Sequence, residues 1–343
     1  MTIKTLLLTL LCLALAACGG SSTPAPAPAA SSIKIGLLVS GTATDHGWNQ
    51  LAWDSLNLYS AAHSGTTETS KLESVKDTDA ADLMRKYDSQ GYGLIIAHGY
   101  EYLQPAKDVA ASLKTKIVVS GGDVDSPAFQ SLLYDLSGAS YQLGVIAAKV
   151  SKTGKLGFIG GAPYPTVTAM QRGFEAGALS VNPKATVTSQ YTGFDDPNKA
   201  KQQTEAFIAQ GIDVIMQNVD AASKGVFEAV KEYNSNPAGT KPGFAVYTFG
   251  ANSDQNANDI CPDYTLASAV IKMDVAFDRA IQQVRDGTFK GGIVKEDLAS
   301  GISVAVLNPR LIGKVIDADT QKLVEHAGMD LVSGKVKIPE EIK

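Results

Sequence analysis

From residue 33 onward, short runs of aliphatic and β-branched residues alternate with longer segments whose apolar positions recur every three or four residues. Residues 33–39, 92–97, 116–119 and 131–134 read as buried strands, and 45–63, 79–90 and 103–113 as amphipathic helices between them. After a helix at about 141–150 the rhythm restarts. Strands are expected at 155–159, 186–191, 214–216 and 244–248, with helices at 166–179, 198–210 and 222–234. A single helix over 267–287, with Val270, Met273, Phe277 and Ile281 on one side, then precedes strand-like pieces at 291–295 and 302–307 and a last helix over 317–326. Two successive βα series predict an α/β chain of two similar, doubly wound lobes whose loops face one cleft. The last pieces are too few for a third domain and complete those lobes. The lobes are expected at 33–140 plus 252–298 and at 141–251 plus 299–343, with the chain crossing near Gly138–Gly144, near Gly250 and near Leu298–Gly301.

The first 32 residues break this pattern. Lys4 followed by the apolar stretch 6–17 has the form of a bacterial secretory signal, residues 1–17. Its ending, Leu15-Ala16-Ala17-Cys18, is similar to a lipobox, in which cleavage leaves Cys18 as a lipid-bearing N-terminus. The other reading is ordinary Ala-x-Ala cleavage with Cys18 incidental. The apolar run is too short to span ~30 Å of hydrocarbon. Residues 18–32 contain no side chain able to build a core and read as a lipidated cysteine with an extended tether.

Composition narrows the function classes. With 30 Lys and Arg against 35 Asp and Glu the net charge is −5, and no basic stripe is present, so nucleic acid is not an expected partner. Of the three cysteines, Cys12 and Cys18 belong to the leader and Cys261 stands alone, which leaves no disulfide framework. His46, His63, His98 and His326 lack metal-ligand spacing, so neither metal nor cofactor is expected. The catalytic signatures Gly-x-Ser-x-Gly, His-Glu-x-x-His and Gly-x-x-x-x-Gly-Lys-Ser/Thr are missing from the sequence. Asp195-Asp196 invites a reading as paired acid–base carboxylates, but Asp196-Pro197 has the form of a helix N-cap followed by proline at N1.

Binding chemistry collects at the carboxyl ends of the expected strands, where ligands of open α/β sheets sit. Trp48 and Asn49 follow the first strand, with Asp45 as N-cap, and Tyr100 and Glu101 follow the second. Asp123, the Asn218–Asp220 segment and the Asn252–Gln255 segment follow later ones. Amides, carboxylates and an aromatic at one edge of two sheets suit a neutral polar ligand with a ring to stack. Singly, each of these residues has an ordinary structural role open to it: the aspartates as caps, Asn218 in a turn, Tyr100 and Trp48 in the core.

Nearly all of the mature chain resembles the basic membrane protein (BMP) family of ABC-transporter substrate-binding lipoproteins, whose best understood members are purine nucleoside receptors. The resemblance rests on Asp45-His46-Gly47-Trp48-Asn49-Gln50, on residues 91–100, on Ser151-Lys152-Thr153-Gly154-Lys155-Leu156-Gly157, and on Gly173-Phe174-Glu175-Ala176-Gly177-Ala178. Residues 193–201, Ser253-Asp254-Gln255 and residues 286–292 extend it. It implies a type I periplasmic-binding-protein fold, two lobes joined by a three-strand hinge that close on the ligand. It also implies a monomer that is not an enzyme, anchored to the membrane on its extracytoplasmic side, with an ABC permease as partner and a purine nucleoside or base as cargo. In the family two aromatics sandwich the purine: Trp48 keeps one role, while Met216 falls where the second ring would be. The family's ribose-binding aspartate falls at Asn252, its helix lysine at Lys272 and an aspartate of the first lobe at Asp123. A flavin or a sugar as cargo, and an exported two-domain enzyme, are the alternatives.

Overall fold

The computed structural model describes residues 32–45, 47–235 and 243–340. The signal segment, Cys18, the tether up to residue 31, and His46 lie outside the described residues. The first half runs β1 (Ile33–Val39), α1 (Trp48–Ala62), β2 (Thr67–Leu72), α2 (Asp77–Ser89), β3 (Leu94–His98), α3 (Leu103–Val109), β4 (Lys116–Ser120) and β5 (Gln130–Tyr134). There follow α4 (Ser137–Val150), β6 (Lys155–Gly160), α5 (Pro165–Val181), β7 (Thr186–Tyr191), α6 (Pro197–Ala209), β8 (Val214–Asn218), α7 (Ser223–Ser235) and β9 (Tyr247–Asn252). The chain ends with β10 (Thr265–Ile271), α8 (Met273–Arg285), β11 (Gly292–Glu296), β12 (Ser303–Leu307) and α9 (Ala318–Val332).

These strands build two six-stranded sheets, in the orders β11-β5-β4-β3-β1-β2 and β12-β10-β9-β8-β6-β7. All the pairings are parallel except β10–β12. Helices on both faces bury the central strands, all but Lys34 of β1, which is why β1, β3 and β8 are near-continuous apolar runs. The sheet ends are polar instead: β2 and β7 are rich in Thr and Ser, and partly exposed. The expected cap at Asp196 is present, its carboxylate accepting the N–H groups of Asn198 and Lys199 at 3.0 and 3.1 Å, with Pro197 opening α6.

Three elements depart from the sequence reading. The stretch 267–287 is not one helix but β10 followed by α8, because a buried strand of Leu, Ala and Ser has no periodicity to set it apart from a helix. β2 has no counterpart in the sequence reading, since its Thr-Glu-Thr-Ser-Lys run lacks the apolar density of a buried strand. The crossing expected near Gly250 lies instead at Lys272. The segment after residue 252 that was assigned to the first lobe supplies β10 to the second sheet, whereas α8 packs on α1 of the first. Arg285 fastens α8 there, donating to Tyr59 Oη at 2.8 Å and Thr66 O at 2.9 Å.

The three crossings are thus Asp135–Leu136, Lys272, and the link from β11 to β12. The first and third are tied together: Asp135 N donates to Glu296 O at 3.0 Å, and Lys295 lies 3.0 Å from Asp135 and 3.3 Å from Asp297.

Candidate functional site

A cavity of about 650 Å³ opens where the carboxyl ends of the two sheets face each other. Its first wall is made by the β1–α1 loop with Trp48 and Asn49, by residues 74–77, and by Tyr100, Glu101 and Tyr134. The second sheet contributes Tyr164, Phe194, Asp195, Asn218, Asp220, Asn252 and Ile271.

The β1–α1 loop is held by one carboxylate. Asp45 accepts the backbone N–H groups of Gly47, Asn49 and Gln50 at 2.9 to 3.0 Å, and the Asn49 amide at 2.8 Å. It therefore acts as the helix cap expected of it, although the N-cap position itself is Gly47. With Asp45 saturated by four donors, the turn presents Trp48 to the cavity. The indole lies flat on His98, ring centroids 3.9 Å apart at 25°, with the edge of Tyr134 5.8 Å away. Gly121 is the other support: a Cβ there would sit 3.1 Å from the indole, and its φ of 91° suits glycine.

His98 is fully buried, and burial pushes its pKa down to about 3, so the imidazole is neutral. Nε2 faces the carbonyl of Trp48 at 3.0 Å, and a carbonyl only accepts, so Nε2 carries the proton. Nδ1 then accepts from Ser120 Oγ at 2.8 Å, and Ser120 accepts from Tyr134 at 3.1 Å. This hydrogen-bonded row is a rigid shelf under the indole.

Across the cavity Asp220 is half-buried, with φ of 46°. Burial first, and then the neighbouring Asp45, push its pKa up to about 7. It accepts Asn252 Nδ2 at 3.0 Å. Asn252 also donates to Asn218 Oδ1 at 3.3 Å, so these three side chains form one network. At the rim the rings of Tyr100, Tyr164 and Phe194 stack in series, 5.6 and 5.9 Å between centroids.

Of the residues singled out from the sequence, Asp45, Trp48, Asn49, Tyr100, Asn218 and Asn252 line this cavity. Met216, Asp123 and Lys272 do not. Met216 shares a strand face with Asn218 but sits two residues deeper, in the apolar core with Met170 and Phe174. Asp123 lies past Gly121, where β4 has already turned away, and Lys272 is exposed at the start of α8. Sequence reasoning missed Tyr164 and Phe194, and placed Asp220 in the binding segment after β8 with a helix cap as its alternative role. A residue flanked by Pro163 and Pro165 at a strand end was the available signal for Tyr164. Among the described residues no group of His, Cys, Asp and Glu could hold a metal ion, and no helix is long and apolar enough to cross a membrane.

Residues 32–332 match the family described as ABC transporter substrate-binding protein, PnrA-like, or Bmp. The chain belongs to the Bmp family. This Bmp protein is 29% identical over 312 residues to the ABC transporter nucleoside-binding protein BmpA of Lactococcus lactis subsp. cremoris, covering 87% of this chain and 86% of that one. It is 26% identical to a purine-binding protein of Brucella abortus, covering 89% and 82%. A solved ABC transporter solute-binding protein from Aeropyrum pernix superposes on the Bmp chain with a TM-score of 0.78 at 22% identity, over 90% of this chain and 94% of that one. The fold is therefore that of periplasmic solute-binding proteins, as the two sheets indicate. The Bmp chain is a substrate-binding component of an ABC transporter.

Proposed function

We propose that this protein captures a purine nucleoside or nucleobase in the cleft between its two sheets and delivers it to an ABC permease. The observation that carries the reading is the indole of Trp48, held flat on His98 and turned into a cavity of about 650 Å³, a size that suits a small ligand. A planar ring stacks on such a face, and Asn49, Asn218 and Asn252 around it offer hydrogen bonds to a neutral polar ligand. The names of the Lactococcus and Brucella relatives point to the same ligand class. Binding closes the lobes about the three crossings, so affinity reflects a shifted open–closed equilibrium. The leader 1–17 is removed and Cys18 carries lipid, holding the protein on the extracytoplasmic face of a membrane as a monomer.

Isothermal titration calorimetry with adenosine, guanosine and inosine tests this reading: one-to-one binding of at least one is expected. No heat with any of them or their bases would sink the purine assignment. Mass spectrometry of ligand released from protein purified without refolding identifies the cargo independently. A Cys18→Ala variant recovered from cells in the soluble rather than the membrane fraction would support the lipid anchor.

A further inference from the structure

The polar groups around Trp48 are unbalanced: acceptors outnumber donors. Asn49 has its Nδ2 fixed on Asp45, and its Oδ1 is buried without a hydrogen-bond partner. Asn49 as a residue is 7% exposed and lines the cavity. A buried acceptor left unpaired is costly, so such an atom calls for a donor. Asp220, in the same cavity, accepts from Asn252 Nδ2. A carboxylate offers about four lone-pair sites, which leaves room for two more donors. The carboxylates Asp45, Asp77, Glu101 and Asp195 line the cavity with it, against Lys76 as the one Lys or Arg among the lining residues. The backbone at Asp220 is left-handed, a conformation that disfavours a side chain with Cβ, so the carboxylate is held there at the expense of strain.

We propose that Asp220 is a specificity-determining residue that reads N–H donors on the ligand, selecting a base edge with two parallel N–H groups, as a guanine-type base carries. The proposal rests on the purine reading above and deepens it. Asp220 packs against the turn that carries Trp48, a Cβ at Gly47 falling 3.3 Å from the Asp220 Cβ, so a ring stacked on that indole shares the cavity with the carboxylate. The two parallel N–H groups of a guanine ring match a carboxylate in bidentate fashion. A hypoxanthine ring lacks the amino group and leaves one site empty, and a site built for a donor discriminates against an analogue without it.

The same pairing makes binding sensitive to pH. The charged groups acting on Asp220 are Asp45 from the β1–α1 loop and Asp195 from the loop before α6; Asn252 on β9 is neutral. In this structure Asp220 holds its proton up to about pH 7, against the ordinary value of 3.8. Closure on a ligand without donors is thus favoured at low pH. It becomes progressively less favourable as pH rises from about 4 to about 7, and levels off above that. A ligand with two N–H donors stabilises the ionised carboxylate and removes most of this dependence.

Calorimetry with guanosine and inosine at pH 5.5 and pH 8 provides the test. At pH 8 guanosine should bind about tenfold or more tightly than inosine, and the gap should narrow at pH 5.5, where inosine gains. Asp220→Asn should lose most of the preference and its pH dependence. Asp220→Gly, which suits the left-handed backbone, should do the same without the strain. Equal binding of the two nucleosides at pH 8 would overturn this proposal while leaving the purine reading intact, as would an undiminished preference in both variants. If neither nucleoside binds, this proposal falls, and adenosine and the free bases then decide the purine reading.

Discussion

Trp48 faces the cavity because its neighbours leave it one orientation: Asp45 closes the turn beneath it, Gly121 makes room, and His98 fills the opposite side. Trp48→Ala should therefore weaken nucleoside binding by on the order of 1 kcal/mol or more, read by calorimetry. Unchanged affinity would return the indole to a packing role. His98 carries a second expectation. Its pKa is depressed from 6.5 to about 3, so the unfolded chain takes up a proton that the native chain refuses between those values. Its contribution to stability is complete above pH 6.5 and is lost as pH falls towards 3. Thermal unfolding followed at pH 5 and pH 7 should show a smaller drop for His98→Gln than for the native protein. The loop residues were legible in the sequence because an aromatic and an amide after a strand are conspicuous. Asp220 was legible only as part of the Asn218–Asp220 segment, since an aspartate ahead of a helix also looks like a cap and its partner, Asn252, is 32 residues away.

At the scale of elements, α4 and α5 meet along a close seam. A Cβ at Gly173 would collide with Ser137 O and one at Gly177 with Tyr141 O, so the two backbones touch. Gly177→Ala would gain about 1 kcal/mol of helix propensity. It would lose more by forcing the helices apart, as overpacking of a core costs about 1–3 kcal/mol. A net destabilisation by about 1–2 kcal/mol is expected in urea unfolding, and a stabilised variant would contradict the seam. At this scale the sequence carried the βα alternation well, since doubly buried strands are apolar throughout. It carried β10 poorly, because Ala and Ser in a strand leave no pattern that a helix could not share. It did not carry β2, which lies at the end of its sheet with polar side chains.

For the molecule as a whole, the ring series Tyr100–Tyr164–Phe194 joins the two walls of the cleft at its rim. Tyr164→Ala should loosen the closed form and raise the rate of ligand release several-fold, with little change in the rate of capture. Stopped-flow fluorescence can follow this, because Trp48 and Trp53 are the two tryptophans and one of them lines the site. The two-lobe plan was readable from repetition of the βα series, but the second crossing was not. It depends on which sheet accepts β10, and that is a matter of long-range pairing. The strand orders have a kinetic consequence. The first sheet waits for β11 to pair with β5, and the second for β12 to pair with β10, partners separated by long stretches of chain. Neither half can finish until nearly the whole polypeptide is available, so folding is governed by late, distant contacts and should be slow. A chain released at residue 290 would hold two unfinished sheets and stay open to protease, while the full-length chain remains pliable until its last strands arrive.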